Sequence, residues 1–171
     1  MKTRIIAIFS FCALALTTNA QVEPNAIGAR LESGIVGLGA ELSYQHGFGE
    51  SNRLELDAGF KTSLSPGQTS AAATYNYTSL TAAYHWYWNI VAGFGWFIGP
   101  AVQGGLYFTT GLAQNELGPT VAGGAQGGVE YNFNHLGVPL QVSVDARPLL
   151  GLYPGGFGYD AGGAVGVRYT F

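Results

Sequence analysis

The sequence predicts an all-β fold, an eight-stranded antiparallel up-and-down transmembrane β-barrel over residues 21–171. Three observations predict it. Charged residues make up only 10% of the chain, against roughly 25% in a soluble domain. Apolar and polar residues alternate with a period of two through successive segments, which is typical of strands. No apolar run of about 20 residues follows the N-terminal segment, so we expect strands rather than helices to cross the membrane.

The first 20 residues have the features of a secretory signal peptide. Lys2 and Arg4 are basic, residues 5–16 are mostly apolar, and the small-residue sequence "TNA" completes a cleavage site. The single cysteine, Cys12, lies inside this apolar stretch and follows bulky residues, which argues against a lipid anchor. We therefore expect Sec-dependent export and a mature chain without thiols, held together by backbone pairing and packing.

The mature chain is acidic. It keeps five basic and ten acidic residues once the signal peptide is removed, and it contains no basic run. Proteins that bind nucleic acid carry a basic patch that neutralises phosphates. Nucleic acid is therefore not an expected partner.

Alternation with a period of two is clear in residues 53–61, "RLELDAGFK", where leucine, alanine and phenylalanine occupy one face and charged residues the other. The segments "LQVSVDARP" and "VGVRYTF" repeat it. The same pattern across the chain predicts eight strands, over residues 26–33, 36–46, 52–62, 74–90, 94–109, 119–133, 138–150 and 160–171.

The predicted connections differ in length in a regular way. Those after strands two, four and six are short, whereas those after strands three, five and seven, around "SLSPGQTSAAA", "TGLAQNELG" and "GLYPGGFGY", are longer. Only the first connection, near "SGI", breaks the rule. Short turns at one end and longer loops at the other are typical of outer-membrane barrels with both termini in the periplasm.

Charged residues share strand faces with small ones, which predicts that they point into the barrel. A soluble eight-stranded barrel such as a lipocalin would have the opposite arrangement, with charges in water. Here the opposite faces are bulky and almost uncharged, which suits contact with acyl chains. The predicted interior charge network consists of Arg30, Glu32, Glu41, Arg53, Glu55, Asp57, Lys61, Glu130, Asp145, Arg147 and Arg168.

Aromatic residues concentrate in residues 81–97, "TAAYHWYWNIVAGFGWF", and at other predicted strand ends on the short-turn side. Indole and phenol rings prefer the membrane–water interface. The sequence therefore predicts an interfacial aromatic girdle of Tyr44, Tyr84, Trp86, Trp88, Phe94, Trp96, Tyr131, Phe133, Tyr169 and Phe171. His85 and Tyr87 have the opposite parity and are expected to form a hydrogen-bonded pair inside the barrel.

The stretches "AIGARLE", "SYQHGFGESNRLELDAGF", "YHWYWNI", "GGVEYNF", "VPLQVSVDARP" and "GVRYTF" together span nearly all of the mature chain. In them the chain resembles the small eight-stranded outer-membrane β-barrel proteins, the porin-like OmpX, OmpW and OmpA barrels, and particularly Bacteroidota-type versions. The resemblance implies the outer membrane of a Gram-negative bacterium, contact with outer-membrane lipids, and recognition of Val167, Tyr169 and Phe171 by the barrel assembly machinery. Because members include adhesins, structural proteins, narrow pores and lipid enzymes, it does not settle function.

Catalysis is not expected. Serine-based acyl chemistry needs a histidine within reach of a hydroxyl, but His46, His85 and His135 are scattered and none shares a strand face with an obvious serine. Three separate histidines without a mature cysteine make no metal-ligand cluster. The glycine-rich "GFGWFIG" lacks the helix that would follow a nucleotide-binding loop. We therefore predict no catalytic residues, metal or cofactor, with a lipid A-modifying enzyme as one alternative.

The interior charges are nearly balanced, which favours pairing, and buried charge persists only when it is partnered. An eight-stranded barrel is just wide enough for side chains to fill. We therefore predict a non-catalytic structural, porin-like or partner-binding role with a lumen closed by charged side chains. A narrow or gated pore for small solutes is the alternative. The charge-poor loops are a candidate docking surface for another envelope protein.

Pro100 falls within predicted strand five. Proline cannot donate a hydrogen bond to a strand ladder. We therefore predict a bulge or a register change at this residue.

Overall fold

The computed structural model describes residues 23–34, 37–63, 74–110 and 117–171. Eight strands form a closed barrel in which each strand pairs antiparallel with its chain neighbours and the first pairs with the last. The predicted all-β, eight-stranded antiparallel up-and-down barrel is confirmed. The strands are β1 (Asn25–Gly34), β2 (Gly37–Phe48), β3 (Asn52–Thr62), β4 (Thr74–Val91), β5 (Phe94–Thr110), β6 (Leu117–Asn132), β7 (Leu140–Tyr153) and β8 (Gly156–Thr170). A 3₁₀ helix occupies Phe133–Leu136.

The predicted signal peptide, residues 1–20, lies outside the described residues, as do the two segments 64–73 and 111–116 within the predicted loops. Among the residues described, none of the helices has the length and apolar character to cross a membrane. Barrel closure pairs β1 with β8 from Ala26–Thr170 to Ser33–Gly163. Both strands thereby exchange hydrogen bonds on two sides.

The alternating pattern separates the two faces of the wall. On β3, Arg53, Glu55 and Asp57 are buried, whereas Leu56 and Phe60 are exposed. Successive side chains of a strand point to opposite faces, and the register pairs inward residues with inward residues across the ladder. The charged face therefore lines the lumen, and the apolar face covers the outside.

Glycine allows the wall to accommodate large inward side chains. A Cβ at Gly95 would overlap the ring of Tyr87, and a Cβ at Gly166 would lie 3.1 Å from Cγ of Arg30 and 3.0 Å from Nη1 of Arg168. Side chains larger than hydrogen at these positions would displace the groups that fill the barrel. The inward glycines thus set how much polar side chain the lumen can hold.

The register does not change at Pro100, so that prediction is wrong. Pro100 pairs with Ala125 of β6, and the ladder between β4 and β5 keeps one register from Ala83–Ala101 to Trp86–Ile98. The missing proline N–H is accommodated by leaving β4 unpaired with β5 over two residues between these pairs. The register shift lies instead beside the turn, between Asn89 and Val91.

The predicted contrast in connection length is wrong for strands six and seven. Residues 133–139, which include the 3₁₀ helix, join β6 to β7, whereas only residues 154–155 join β7 to β8. Gly155 and Gly156 have φ of 113° and 123°, which permits a tight turn after Pro154. The paired strands therefore continue through most of "GLYPGGFGY", which was predicted as a long loop.

Candidate functional site

The side chains of all eleven residues of the predicted interior charge network are buried inside the barrel. They lie on six strands, β1, β2, β3, β6, β7 and β8. They also follow the length of the barrel, because β3 alone carries Arg53 near one end, Glu55 and Asp57 in the middle, and Lys61 near the other end. We refer to these three levels as the lower, central and upper ionic groups of the lumen.

Arg30 of β1 lies at the middle of the central ionic group. Its Nη1 atom contacts Glu41 Oε2 at 3.0 Å and Glu55 Oε1 at 3.0 Å. The same atom lies 2.6 Å from Asp57 Oδ2, and Nη2 donates to Asp145 Oδ1 at 2.5 Å. One guanidinium thus joins carboxylates from β2, β3 and β7, a role that suits the five N–H donors of arginine.

Arg147 and Arg168 complete the central ionic group. Arg147 contacts Glu41 Oε1 at 3.1 Å and also donates to Asp57. Arg168 donates to Glu55 Oε2 at 2.9 Å, and two serine hydroxyls accept from its other nitrogens. Three guanidinium groups therefore share four carboxylates. Buried charge on this scale is tolerated because each group has charged and hydrogen-bonding partners.

The lower ionic group lies near the β4–β5 turn. Arg53 Nη1 donates to Glu130 Oε1 at 2.8 Å. Its guanidinium carbon lies 4.6 Å from the ring centre of Phe97 and 5.5 Å from that of Tyr87, within the range of a cation–π contact. Arg53 Nε also donates to His85 Nδ1 at 3.4 Å. His85 and Tyr87 both point inward as predicted, but the predicted hydrogen bond between them is wrong. His85 Nε2 has no partner among the described residues, and Arg53 contacts both side chains instead.

The upper ionic group contains a residue that sequence reasoning missed. The Lys61 ammonium contacts Glu32 and lies 3.6 Å from Asp160 Oδ2. Asp160 is the first residue of predicted strand eight, and the predicted network does not include it. Its parity is the same as that of Gly162, Gly166 and Arg168, so following the inward face back to the first residue of that strand identifies it. With Asp160, seven acidic and five basic residues line the described part of the lumen.

The aromatic residues of the predicted girdle lie at the end of the barrel that carries the β2–β3, β4–β5 and β6–β7 connections and both chain ends. Trp88 and Trp96 stack across the β4–β5 hairpin with ring centres 4.4 Å apart. Tyr131 and Phe133 meet edge to face at 4.7 Å, although Phe133 belongs to the 3₁₀ helix rather than to β6. The remaining members are Tyr44, Tyr84, Trp86, Phe94, Tyr169 and Phe171.

The two remaining histidines lie at the same end, apart from the lumen groups. His46 Nδ1 lies 2.9 Å from Asn25 Oδ1. His135 Nδ1 lies 2.9 Å from the carbonyl oxygen of Asn132, and its Nε2 lies 3.2 Å from the Tyr131 hydroxyl. In the part of the chain that the structure describes, no group of three or more histidine, cysteine or acidic residues is arranged to hold a metal ion.

The sequence matches no protein-family model, and no curated protein matches it. Its fold, however, is similar to those of solved outer-membrane barrels. Neisserial surface protein A (NspA) is 14% identical with a TM-score of 0.60, covering 86% of this chain and 95% of that one. Ail, the attachment invasion locus protein of Yersinia pestis, is 12% identical with a TM-score of 0.59, covering 88% and 100%. The N-terminal β-barrel domain of Pseudomonas aeruginosa OprF is 16% identical with a TM-score of 0.57, covering 87% and 100%.

Proposed function

We propose that this chain is an integral outer-membrane protein of a Gram-negative bacterium, with a non-catalytic structural, porin-like or partner-binding role and a lumen closed by ion pairs. The observation that carries the proposal is the inverted distribution of polarity. The charged side chains of the eleven-residue network are buried, while the large apolar side chains of the same strands are exposed.

The exposed apolar surface supports a membrane environment. Leu42 of β2 is 71% exposed, Leu80 of β4 70% and Val121 of β6 67%, and all three line one apolar groove on the outer wall. Soluble monomers rarely expose continuous apolar surface on this scale. Acyl chains would cover this surface at little energetic cost, because the backbone polar groups of a closed barrel pair within the wall, apart from short gaps such as the one beside Pro100. A soluble ligand-binding barrel would require the opposite orientation of its strands' faces.

The membrane proposal is tested by cell fractionation and gel mobility. We expect the protein to remain with outer membranes until detergent is added, and the unboiled protein to migrate differently from the boiled, unfolded chain. Recovery from the soluble fraction without detergent would support the soluble barrel. A Bacteroidota-type origin, Sec export and recognition of Val167, Tyr169 and Phe171 by the assembly machinery are further parts of the proposal.

The packing of the lumen supports a closed barrel over a pore. The three ionic groups follow one another along the barrel, and Gln126 adds hydrogen bonds to Glu55 and Asp145 within the central group. An eight-stranded barrel has little room beyond its own side chains. Opening a polar path would require several buried ion pairs to separate together, and each separated charge would lose its partners.

Planar-bilayer recordings distinguish a closed lumen from a gate. We expect the wild-type protein to show no regular current steps, and Arg53→Ala and Arg147→Ala to lose stability with little gain in conductance. Glu50→Ala is the matched control, because Glu50 lies exposed in the β2–β3 turn. Larger single-channel currents in the two arginine variants, absent from the control, would support the gated pore.

The contacts of the histidines support a non-catalytic role. His85 contacts Arg53, and His46 contacts Asn25. His135 contacts the Asn132 carbonyl oxygen and the Tyr131 hydroxyl. Serine-based acyl transfer requires a histidine hydrogen-bonded to a serine or threonine hydroxyl, and none of the three has that contact among the described residues. Mass spectrometry of lipid A from cells with and without the gene tests the enzyme alternative. We expect identical lipid A, and a change in acylation would overturn this part of the proposal.

A further inference from the structure

A cleft of about 580 Å³ opens at the upper end of the barrel, above the upper ionic group. Its wall includes Ser63 at the end of β3, Tyr75 of β4, Tyr107 of β5, and the β7–β8 hairpin from Tyr153 to Asp160. Pockets of this size accept small molecules when apolar walls surround a few polar groups. We refer to it as the mouth cleft.

Tyrosine rings form much of the wall of the mouth cleft. Tyr75 and Tyr107 stack with ring centres 5.8 Å apart and an angle of 28° between the planes. Tyr75 is 42% exposed, so this pair presents ring surface to the cleft. On the facing hairpin, the Tyr153 ring lies over Gly158, where an added Cβ would be 3.1 Å from Cδ2 of the ring. Glycine at position 158 therefore leaves room for the Tyr153 ring against the β8 backbone.

The Tyr153 hydroxyl gives the cleft an unused hydrogen-bonding group. This oxygen is buried and has no hydrogen-bond partner among the residues that the structure describes. A buried hydroxyl without a partner loses its hydrogen bonds to water and gains none in return, so such groups call for an explanation. Tyr153 lines the cleft, so a bound molecule that shifts its ring and exchanges a hydrogen bond with this oxygen would remove the cost.

The floor of the cleft indicates an uncharged polar ligand. The Asp160 carboxylate lies beside the Lys61 ammonium, which also contacts Glu32. A cationic ligand would compete with Lys61 for these carboxylates, and an anionic ligand would be repelled by them. An acyl chain would leave the Tyr153 hydroxyl unsatisfied. A ligand with flat apolar faces and several hydroxyl groups fits both the rings and the polar atoms.

We propose that the mouth cleft binds a saccharide, with a sugar ring packed against the Tyr75–Tyr107 pair and its hydroxyl groups hydrogen-bonded to the Tyr153 hydroxyl and the Asp160 carboxylate. The ring faces of a pyranose carry C–H groups that pack on aromatic rings, while its hydroxyls require donors and acceptors around the rim. The sugar belongs either to lipopolysaccharide of the same membrane or to a glycan from outside. The proposed saccharide site lies at the mouth and does not involve the lumen. The conductance recordings and the binding titration therefore test the two proposals independently.

The test is an NMR titration of the purified mature protein in phosphatidylcholine nanodiscs. The probes are the methyl glycosides of glucose, galactose, mannose and N-acetylglucosamine, with choline chloride as the cationic probe. We expect saturable millimolar binding of at least one glycoside, weakened about tenfold by Tyr75→Ala and about threefold to tenfold by Tyr153→Phe, as loss of one ring contact and one hydrogen bond implies.

Tyr44→Ala and Tyr44→Phe are the matched controls, because Tyr44 is a partly exposed tyrosine at the opposite end of the barrel. We expect both to bind like wild type. Heat-dependent gel mobility verifies that each variant is folded, and Tyr153→Phe keeps the test decisive if Tyr75→Ala does not fold, because it removes a single oxygen atom. Binding of choline alone, binding of no glycoside, or equal weakening by the Tyr44 controls would overturn the proposal.

The source of the sugar is distinguished by adding lipopolysaccharide to the nanodiscs. If the cleft holds lipopolysaccharide sugar, the apparent affinity for the glycoside falls in these discs, because the two compete. An unchanged affinity indicates a glycan from outside the cell. Both results support a saccharide site. In either case, Tyr153→Phe must still weaken glycoside binding in nanodiscs without lipopolysaccharide.

Discussion

Replacing Arg30 by methionine should cost about 3–5 kcal/mol of unfolding free energy, the usual loss when one partner of a buried ion pair is removed. Methionine keeps most of the side-chain volume, so the change removes charge more than packing. Arg147 and Arg168 still serve Glu41, Glu55 and Asp57. Asp145, in contrast, loses the Arg30 guanidinium that pairs with it, and it keeps only the Gln126 amide as a hydrogen-bond donor, at 3.2 Å. The estimate therefore counts one uncompensated buried carboxylate.

The double variant Arg30→Met/Asp145→Asn tests this reasoning. Asparagine removes the charge that Arg30→Met leaves uncompensated, so we expect the double variant to recover part of the lost stability, and the two changes not to add. Urea unfolding in lipid vesicles, followed by tryptophan fluorescence and linear extrapolation, measures both. Glu50→Ala at the exposed turn is the control and should leave the midpoint unchanged. A loss below about 1 kcal/mol with no recovery in the double variant would refute the idea of a dry, ion-paired lumen.

Three further outcomes follow from the wall and the strand ends. Leu80→Arg should cost about 2–4 kcal/mol in vesicles, because it places a charge among acyl chains, whereas Phe157→Arg at the hairpin tip should cost little; equal losses would contradict the membrane placement. Gly95→Ala should lower the free energy of unfolding by about 1–3 kcal/mol, because the added Cβ overlaps the Tyr87 ring. In a Tyr87→Ala background the same Gly95→Ala change should cost less in the urea assay, because the ring is gone. Deleting Phe171 should reduce the amount of folded protein in outer membranes, whereas the purified variant should still refold in vesicles. Heat-dependent gel mobility measures the folded fraction in both cases. A normal amount of folded variant in cells would contradict a role of Phe171 in assembly.

The faces of the strands could be predicted from the sequence, whereas the contacts between strands could not. Alternation places Arg30, Glu55 and Asp145 on inward faces, because side-chain direction along a strand depends only on parity. Which of them meet depends on register and on the tilt of strands around the barrel. The 3.0 Å contact of Arg30 with Glu55 and its contact with Asp145 join strands that are not neighbours in the wall, and no local pattern encodes such a pairing.

The errors have local causes. Glycine and proline in "GLYPGGFGY" usually indicate a loop, yet here they form a two-residue turn with paired strands up to Tyr153 and from Gly156. The same misreading left Asp160 out of the lumen and hid the hairpin that forms one wall of the mouth cleft. At Pro100 the opposite error occurred, since a wall of paired strands can omit pairing over two residues without shifting the register.

The ionic groups fill the lumen between the two ends of the barrel, and they therefore determine whether binding at one end can change the structure of the other. Lys61 lies at the boundary, because its ammonium contacts Glu32 below while Asp160 belongs to the wall of the mouth cleft. Tyr77 also closes this level, with its hydroxyl 3.0 Å from Gln103 Oε1 and 2.9 Å from Thr120 Oγ1. Below it, the central ionic group joins five strands, β1, β2, β3, β7 and β8, through three arginines. A molecule bound at the mouth would therefore meet a closed floor, and occupancy of the cleft requires no movement of the lumen, because the charges beneath are already paired with one another.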